Sequence, residues 1–306
     1  MAARAVEVPL VYNPASGSGR GEARALEAIH LFARHQWHLD PRPTQGPGDA
    51  IRLTQQLADE GHRTILVMGG DGTLSEAADG LLRSDGRKKV RLGFLPGGTG
   101  NDFLRDFAMD PLGVAVERVV ACKKPRPIDA ALVEWTDEAG NPRERHFINV
   151  FGTGLAAHAT DFANRRLKWM GRFAYTAAVL PELGRLNSAP TRLVVDGKTI
   201  EEPMALVLAC NNVYTGGDMK IAPMARPDDG WLDVVALRTA SRRRVIALLR
   251  RVFSGTHMDE PEVAHWRAKE IEIDPEVPSP LLGDGEIYGG TPCRIHVVPG
   301  ALQLLL

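Results

Sequence analysis

Apolar and polar positions change their period near the middle of the chain. In the first half, short apolar runs alternate with stretches of helical spacing. Val6–Tyr12 is an apolar run that ends in the loop Asn13-Pro14-Ala15-Ser16-Gly17-Ser18-Gly19. Leu26, Ile29, Phe32 and Ala33 then recur three and four residues apart within Gly21–Trp37, the signature of an amphipathic helix. A proline-rich turn, Pro41–Pro47, precedes a second helical segment at Asp49–Gly61. Thr64–Met68 predicts a strand running into Gly69-Gly70-Asp71-Gly72-Thr73, with a helix from Leu74 to Arg83. Arg91–Leu95 predicts another strand, running into Pro96-Gly97-Gly98-Thr99-Gly100-Asn101-Asp102. Strands separated by such helices predict a parallel sheet covered on both faces. Sheets of this kind bind ligands beyond the carboxyl ends of their strands, where all three glycine loops fall.

From about Ile128 the helical spacing gives way to short strands. Ala130–Trp135, His146–Val150, Thr191–Val195, Met204–Ala209, Leu232–Leu237, Lys269–Ile273 and Cys293–Val298 read as strands, separated by turn signals such as Glu138–Pro142 and Asp196-Gly197. Helical spacing returns only at Thr160–Gly184 and Ala240–Gly255. The pattern predicts an α/β domain over 1–127 and a β-rich domain over 128–294, with about 295–306 returning to the first. Lys123-Lys124-Pro125-Arg126-Pro127 is the expected linker.

Composition narrows the function classes. With 44% hydrophobic and 25% charged residues among 306, the chain has the make-up of an ordinary globular protein. A net charge of −1 argues against an electrostatically driven nucleic-acid binder. No apolar run is long enough to span a bilayer and no signal-peptide core opens the chain, so a cytoplasmic location is expected. Cys122, Cys210 and Cys293 are too few and too scattered for a disulfide framework or a zinc site.

Gly69–Thr73 carries the strongest local chemistry. A glycine-rich strand-to-helix turn presents backbone N–H groups and the positive end of a helix dipole, a combination that favours phosphate. Thr73 adds a hydroxyl donor. Asp71 would repel phosphate, so it fits as a ligand of Mg²⁺, direct or through water, or as a helix cap; the alternative for the whole pentapeptide is a tight turn. Gly97–Asp102 repeats the device one strand later, and two such loops on one sheet strengthen each other. The segment is neither a Walker A sequence nor a dinucleotide fingerprint. Asp284-Gly285 and Asp229-Gly230 are, in isolation, turn dipeptides.

Taken in order, VYNPASGSGRG, VMGGDGTLSEAADGL and LGFLPGGTGNDFLRD resemble the diacylglycerol kinase catalytic domain. The likeness is greatest to the soluble bacterial lipid kinases of the diacylglycerol kinase B and YegS types. It continues through PIDAALVE, FINVFGTGLAA, GRFAYTAAVL, APMARPDDGWLDVV and LLGDGEIYGG. The resemblance implies a first domain shared with NAD kinases, a β-sandwich-like second domain, and ATP bound in the cleft between them. It places ATP contacts on Asn13, Pro14, Ala15, Ser16, Gly17, Thr44, Gly70, Asp71, Gly72, Thr73, Leu74, Ser75, Glu76 and Thr99, with Ser75 standing where the family often has Asn. It places the catalytic acidic motif on Asp284 and Glu286, either of which would be the proton acceptor. It places a structural Mg²⁺ on Arg226, Asp229 and Trp231, through two main-chain carbonyls and the Asp229 carboxylate.

The expected activity is transfer of the ATP γ-phosphoryl group to the hydroxyl of diacylglycerol or a related lipid alcohol. The alternatives are an NAD kinase-like enzyme, a sphingoid- or phosphatidylglycerol-directed kinase, and a non-catalytic sensing module of the same fold. Members of the family often form dimers. Two basic stretches remain, Arg165–Phe173 and Ser241–Phe253. The second sets Val245, Leu248, Leu249 and Val252 on one helical face and Arg243, Arg244, Arg250 and Arg251 around the other. Both suit a solvated basic face or peripheral docking on anionic headgroups of the inner membrane leaflet.

Overall fold

The computed structural model describes residues 7–163, 166, 178, 181–182, 188–238 and 241–306. The chain divides into two units, Met1–Ile128 with Gly300–Leu306, and Asp129–Pro299. The first is α/β, with strands β1 (Glu7–Tyr12), β2 (His38–Pro43), β3 (Thr64–Gly69) and β4 (Arg91–Pro96) parallel in the order β2-β1-β3-β4. Its helical segments are the short turn α1 (Ser16–Gly19), then α2 (Gly21–Arg34), α3 (Asp49–Asp59), α4 (Asp71–Arg83), α5 (Asp102–Arg105) and α6 (Leu112–Ala121). The last residues of the chain complete the sheet: Leu304 pairs with Leu92 in parallel, and the Leu305 N–H donates to the Leu92 carbonyl. β1, β3 and β4 read as continuous apolar runs because helices cover both of their faces. Leu10, Ile65, Leu66 and Phe94 of the strands and Phe32, Leu74 and Leu81 of the helices are all fully buried.

One strand departs from the sequence reading. The segment with Pro41 and Pro43, read as a turn, forms β2. β2 pairs only with β1 and lies at the sheet edge, the one place where a residue without an N–H costs a strand little.

The second unit is built on antiparallel strands. They are β5 (Arg126–Thr136, beginning in the first unit), β6 (Pro142–Phe147), β7 (Val150–Gly154), β8 (Ala189–Val195), β9 (Lys198–Cys210), β10 (Tyr214–Thr215), β11 (Met219–Lys220), β12 (Leu232–Arg238), β13 (Val263–Ala268), β14 (Glu270–Pro275), β15 (Pro280–Gly283), β16 (Glu286–Gly290) and β17 (Cys293–Leu304). β9 organises them. Its first half pairs with β8 across the Asp196-Gly197 turn, where both residues take positive φ, and its second half lies between β7 and β12. The helices are α7 (Leu155–Phe162) and α8 (Arg242–Val252). Phe147, Phe151, Leu193, Val234, Ile271 and Ile295 form the core.

The run His146–Val150, read as one strand, is two: β6 ends at Phe147 and β7 begins at Val150. The intervening amides are used elsewhere, as shown below. α7 starts earlier than the helix expected at Thr160, and most of that segment's remainder lies outside the described residues. So does the basic stretch Arg165–Phe173, Arg166 apart. No described helix is long and apolar enough to cross a membrane.

Candidate active site

In the first unit the three glycine loops follow neighbouring strands and touch through their backbones. The Gly97 N–H donates to the Gly69 carbonyl at 2.9 Å, and the Asn13 N–H to the Met68 carbonyl at 3.1 Å. Side chains have no room between them. A Cβ on Gly98 would sit 2.5 Å from the Gly70 Cα, and one on Gly17 would sit 2.7 Å from the Gly97 carbonyl oxygen. Gly17 also has φ +57, which an L side chain rarely adopts. The glycines thus let three main chains converge at one edge, where the first amides of α4 have no intrahelical partner.

Side chains brace this edge. Asn13 donates through Nδ2 to Thr73 Oγ1 at 3.3 Å and accepts from the Ala15 N–H at 2.9 Å, tying the first loop to the second. Asn101, at φ +52, accepts from the Gly98 N–H at 3.0 Å. Asp71 does not point away from the loops: its carboxylate accepts from the Phe103 N–H at 3.0 Å, so it caps α5 of the neighbouring loop. Burial pushes its pKa up, against the backbone amides of Phe103 and Asp102 and the nearby Arg105, which pull it down.

The other residues matched to ATP contacts fall into two groups. Pro14, Ala15, Gly17, Gly70, Gly72 and Thr99 lie on the exposed or half-exposed rim, and Thr44 joins it through its N–H to the Tyr12 carbonyl at 2.8 Å. Leu74, Ser75 and Glu76 are buried in α4, and Ser16 is buried with its hydroxyl on the Asn13 carbonyl. Glu76 accepts from the Gly48 N–H at 2.8 Å, so its carboxylate holds the chain ahead of α3.

In the second unit Asp284-Gly285 is the two-residue turn between β15 and β16, with φ +48 and +89. The two acidic side chains of the motif are in different states. Asp284 is 7% exposed, and its carboxylate accepts from the N–H groups of Ile148, Asn149 and Val150, each at 3.0 Å. This explains the break between β6 and β7, whose linking amides serve that carboxylate. Asn211 backs the same place, donating to the Asp129 and Ile148 carbonyls at 3.0 and 2.8 Å. Glu286, at the start of β16, has a side chain 41% exposed, with Arg145 Nη2 at 3.7 Å and the Tyr288 hydroxyl at 3.4 Å. Arg145 lies over the Tyr288 ring, 4.5 Å from its centre. Nothing in the spacing of Arg145, Asn211 and Tyr288 marked them beforehand; FINVFGTG and DGEIY named the segments without their contacts.

Arg226, Asp229 and Trp231 lie in the segment just ahead of β12, and two carbonyls with a carboxylate are the oxygen donors that Mg²⁺ takes. The charge there is already matched. Asp229 accepts from the Trp231 N–H at 3.1 Å and from Arg267 Nη2 at 2.5 Å. Arg267 and Lys269 both lie over the Trp231 ring, at 5.3 and 4.7 Å from its centre. Among the described residues no group of three or more His, Cys, Asp or Glu is arranged to hold a metal. In the turn as folded, Arg267 engages the carboxylate that the resemblance assigns to Mg²⁺.

The second unit also contains a mainly apolar cavity of about 250 Å³, lined in part by Leu155, Met204, Leu206, Pro275 and Val277, with His158 beside them.

Comparison with known proteins agrees with this architecture. The family model described as "Diacylglycerol kinase catalytic domain" matches residues 7–133, and "YegS C-terminal NAD kinase beta sandwich-like domain" matches residues 149–306. A diacylglycerol kinase of Mycobacterium tuberculosis is 32% identical, over 98% of this chain and 94% of its own. A probable YegS-like lipid kinase of Pseudomonas aeruginosa is 30% identical, over 94% and 91%. The crystal structure of a putative diacylglycerol kinase from Bacillus anthracis superposes with TM-score 0.79 at 26% identity, over 98% of this chain and 94% of that one. The chain belongs to the diacylglycerol kinase catalytic-domain family and is a lipid kinase.

Proposed function

We propose that the protein transfers the γ-phosphoryl group of ATP to the free hydroxyl of diacylglycerol, at the inner leaflet of the membrane. The observation that carries this reading is the convergence of three glycine loops so close that no methyl group fits between them. Such an edge presents backbone N–H groups to the phosphates with no side chain in the way. ATP enters as its Mg²⁺ complex, and the ion offsets part of the triphosphate charge. Thr99 and the amides of Gly70 and Gly72 are the donors we assign to the phosphates.

Glu286 is the base in this reading. A proton acceptor must reach the substrate, and the Asp284 carboxylate is buried and held by three N–H groups. Glu286 keeps an exposed carboxylate, oriented by Arg145 and Tyr288. It takes the proton of the lipid hydroxyl as the new O–P bond forms and the bond to the β-phosphate oxygen breaks, releasing ADP. The apolar cavity of the second unit is assigned to the end of an acyl chain.

The test is transfer of labelled phosphate from ATP to diacylglycerol, phosphatidylglycerol and a sphingoid base, each dispersed in neutral detergent. Label on diacylglycerol is expected, with KM falling as the acyl chain lengthens to fill the cavity. Label on another lipid alone would reassign the acceptor, and folded protein that labels none would end the kinase reading.

A further inference from the structure

The helix α8 divides its arginines into two sets. Ser241 caps it, accepting from the Arg244 N–H at 3.3 Å, and Val245, Leu248 and Val252 bury its inner face, the first two in a cluster with Leu155, Ala159 and Leu237. On one flank Arg244 binds Glu262 at 2.7 and 3.0 Å, and both Arg244 and Arg251 pair with Glu260. On the outward face Arg243, Ile246, Arg250 and Phe253 follow one another at intervals of three and four residues, which makes them a single stripe. Ile246 is 37% exposed and Phe253 40% exposed. Arg243 and Arg250 have no carboxylate partner among the described residues, although Glu260 and Glu262 neutralise their neighbours. At the end of the helix Gly255 packs against Pro223, and Met224, next in the chain, is a further exposed apolar side chain.

Large apolar side chains alternating with unneutralised guanidiniums are costly to leave in water, and each component selects against a different partner. The apolar residues gain nothing from free anions in solution. The arginines oppose a second copy of the chain, because a two-fold contact through this stripe would set like charges against each other. An anionic lipid surface satisfies both, with the guanidiniums at the headgroups and Ile246 and Phe253 at the acyl boundary. We infer that the outward face of α8 docks on anionic bilayer through Arg243, Ile246, Arg250 and Phe253. This rests on the lipid-kinase reading only in that such a substrate resides in a bilayer.

The experiment is co-sedimentation of the full chain with phosphatidylcholine vesicles and with vesicles containing about one third phosphatidylglycerol. Binding is expected only to the anionic vesicles and should weaken as salt rises. At about 1 kcal/mol for each arginine near such a surface, Arg243→Gln with Arg250→Gln should lower the partition coefficient about 30-fold. Ile246→Ser with Phe253→Ser should weaken binding in a salt-independent way. Both double variants should keep the wild-type melting temperature and the wild-type rate on lipid in neutral detergent. Equal binding to neutral vesicles, wild-type partition by the arginine variant, or a salt-sensitive dimer without vesicle binding would overturn the inference. Failure of the catalytic reading looks different: vesicle binding would persist while no lipid is phosphorylated in any medium.

Discussion

The two candidate regions, one in each unit, are made from opposite materials. The edge of the first unit is backbone: Gly17, Gly97 and Gly98 leave no space for a methyl group, and the donors are amides. The turn of the second unit is side chain: two carboxylates, two residues apart, with a shared motif and different surroundings. A backbone site fails when an atom is added, and a side-chain site fails when one is changed. The comparison also teaches that proximity in a motif does not mean a shared role. Asp284 holds the place where β7 begins, and Glu286 faces outward from it.

The largest expected effect separates those two carboxylates. Glu286→Gln removes the carboxylate we assign as proton acceptor but leaves every buried contact, so kcat should fall by about 10²–10⁴ with the ATP KM and the melting temperature unchanged. Asp284→Asn sets an NH₂ group against backbone N–H groups. Leaving buried donors unsatisfied costs about 1–3 kcal/mol, so its melting temperature should fall. Kinetics and thermal melts on both variants decide the matter. The contrast breaks if Glu286→Gln destabilises the fold or if Asp284→Asn leaves stability untouched while abolishing turnover.

The next effect tests the backbone edge. In Gly98→Ala the new methyl would lie 2.5 Å from the Gly70 Cα, so one loop has to move. Overpacking of this kind costs about 1–3 kcal/mol, and the displaced amides should raise the ATP KM by about tenfold or more. Gly285→Ala is the matched control in the other unit. Nothing lies within 4 Å of its added methyl, but φ is +89. It should therefore lower stability through strain while the ATP KM holds. Equal effects of both substitutions on ATP affinity would erase the distinction between the two regions.

Much of this was legible from glycine and apolar spacing, because a parallel sheet with crowded loops leaves few sequence solutions. Thr64–Met68 and Arg91–Leu95 read as strands since both of their faces are buried. β2 did not, because Pro41 and Pro43 carry turn chemistry and only its position at the edge makes them harmless. The division of labour between Asp284 and Glu286 was hidden for a different reason. It depends on amides more than 130 residues away, and no local pattern encodes such a contact. The partner of Asp229 was hidden likewise: Arg267 lies 38 residues on, and the motif shows the carboxylate without the cation that pairs with it.

A smaller effect belongs to Asp71, which sits where the glycine edge does depend on a side chain. Burial raises its pKa above the unfolded value, so the folded state holds this proton more tightly than the unfolded state does. The sign follows: its contribution to stability is most favourable below the ordinary value of 3.8 and declines as pH rises through the raised one. Asp71→Asn lacks that decline and keeps an oxygen for the Phe103 N–H. Its melting temperature relative to wild type should therefore be higher at pH 7 than at pH 4, while turnover falls because the loops lose their charge-assisted tie. A difference in melting temperature that stays constant with pH would remove the buried-carboxylate account.

The smallest effect concerns the Asp229 turn, where an ion pair stands in the place expected for a metal. Asp229 and Arg267 are both partly exposed, so their pair contributes about 0–1 kcal/mol. Asp229→Asn should accordingly lower the melting temperature by a few degrees at most, and less at high salt. A bound structural Mg²⁺ makes a different demand. Any ligand held by the folded state alone raises stability in proportion to the logarithm of its concentration. With nucleotide absent, chelation followed by stepwise addition of Mg²⁺ should therefore leave the melting temperature flat. Arg267→Ala sharpens the result, because it frees the Asp229 carboxylate without touching the carbonyls of Arg226 and Trp231. A Mg²⁺ response that appears only in Arg267→Ala would identify the guanidinium as what occupies the metal's place. A response already present in wild type and lost in Asp229→Asn would mean that the ion displaces Arg267, and the turn would then be a cation site after all.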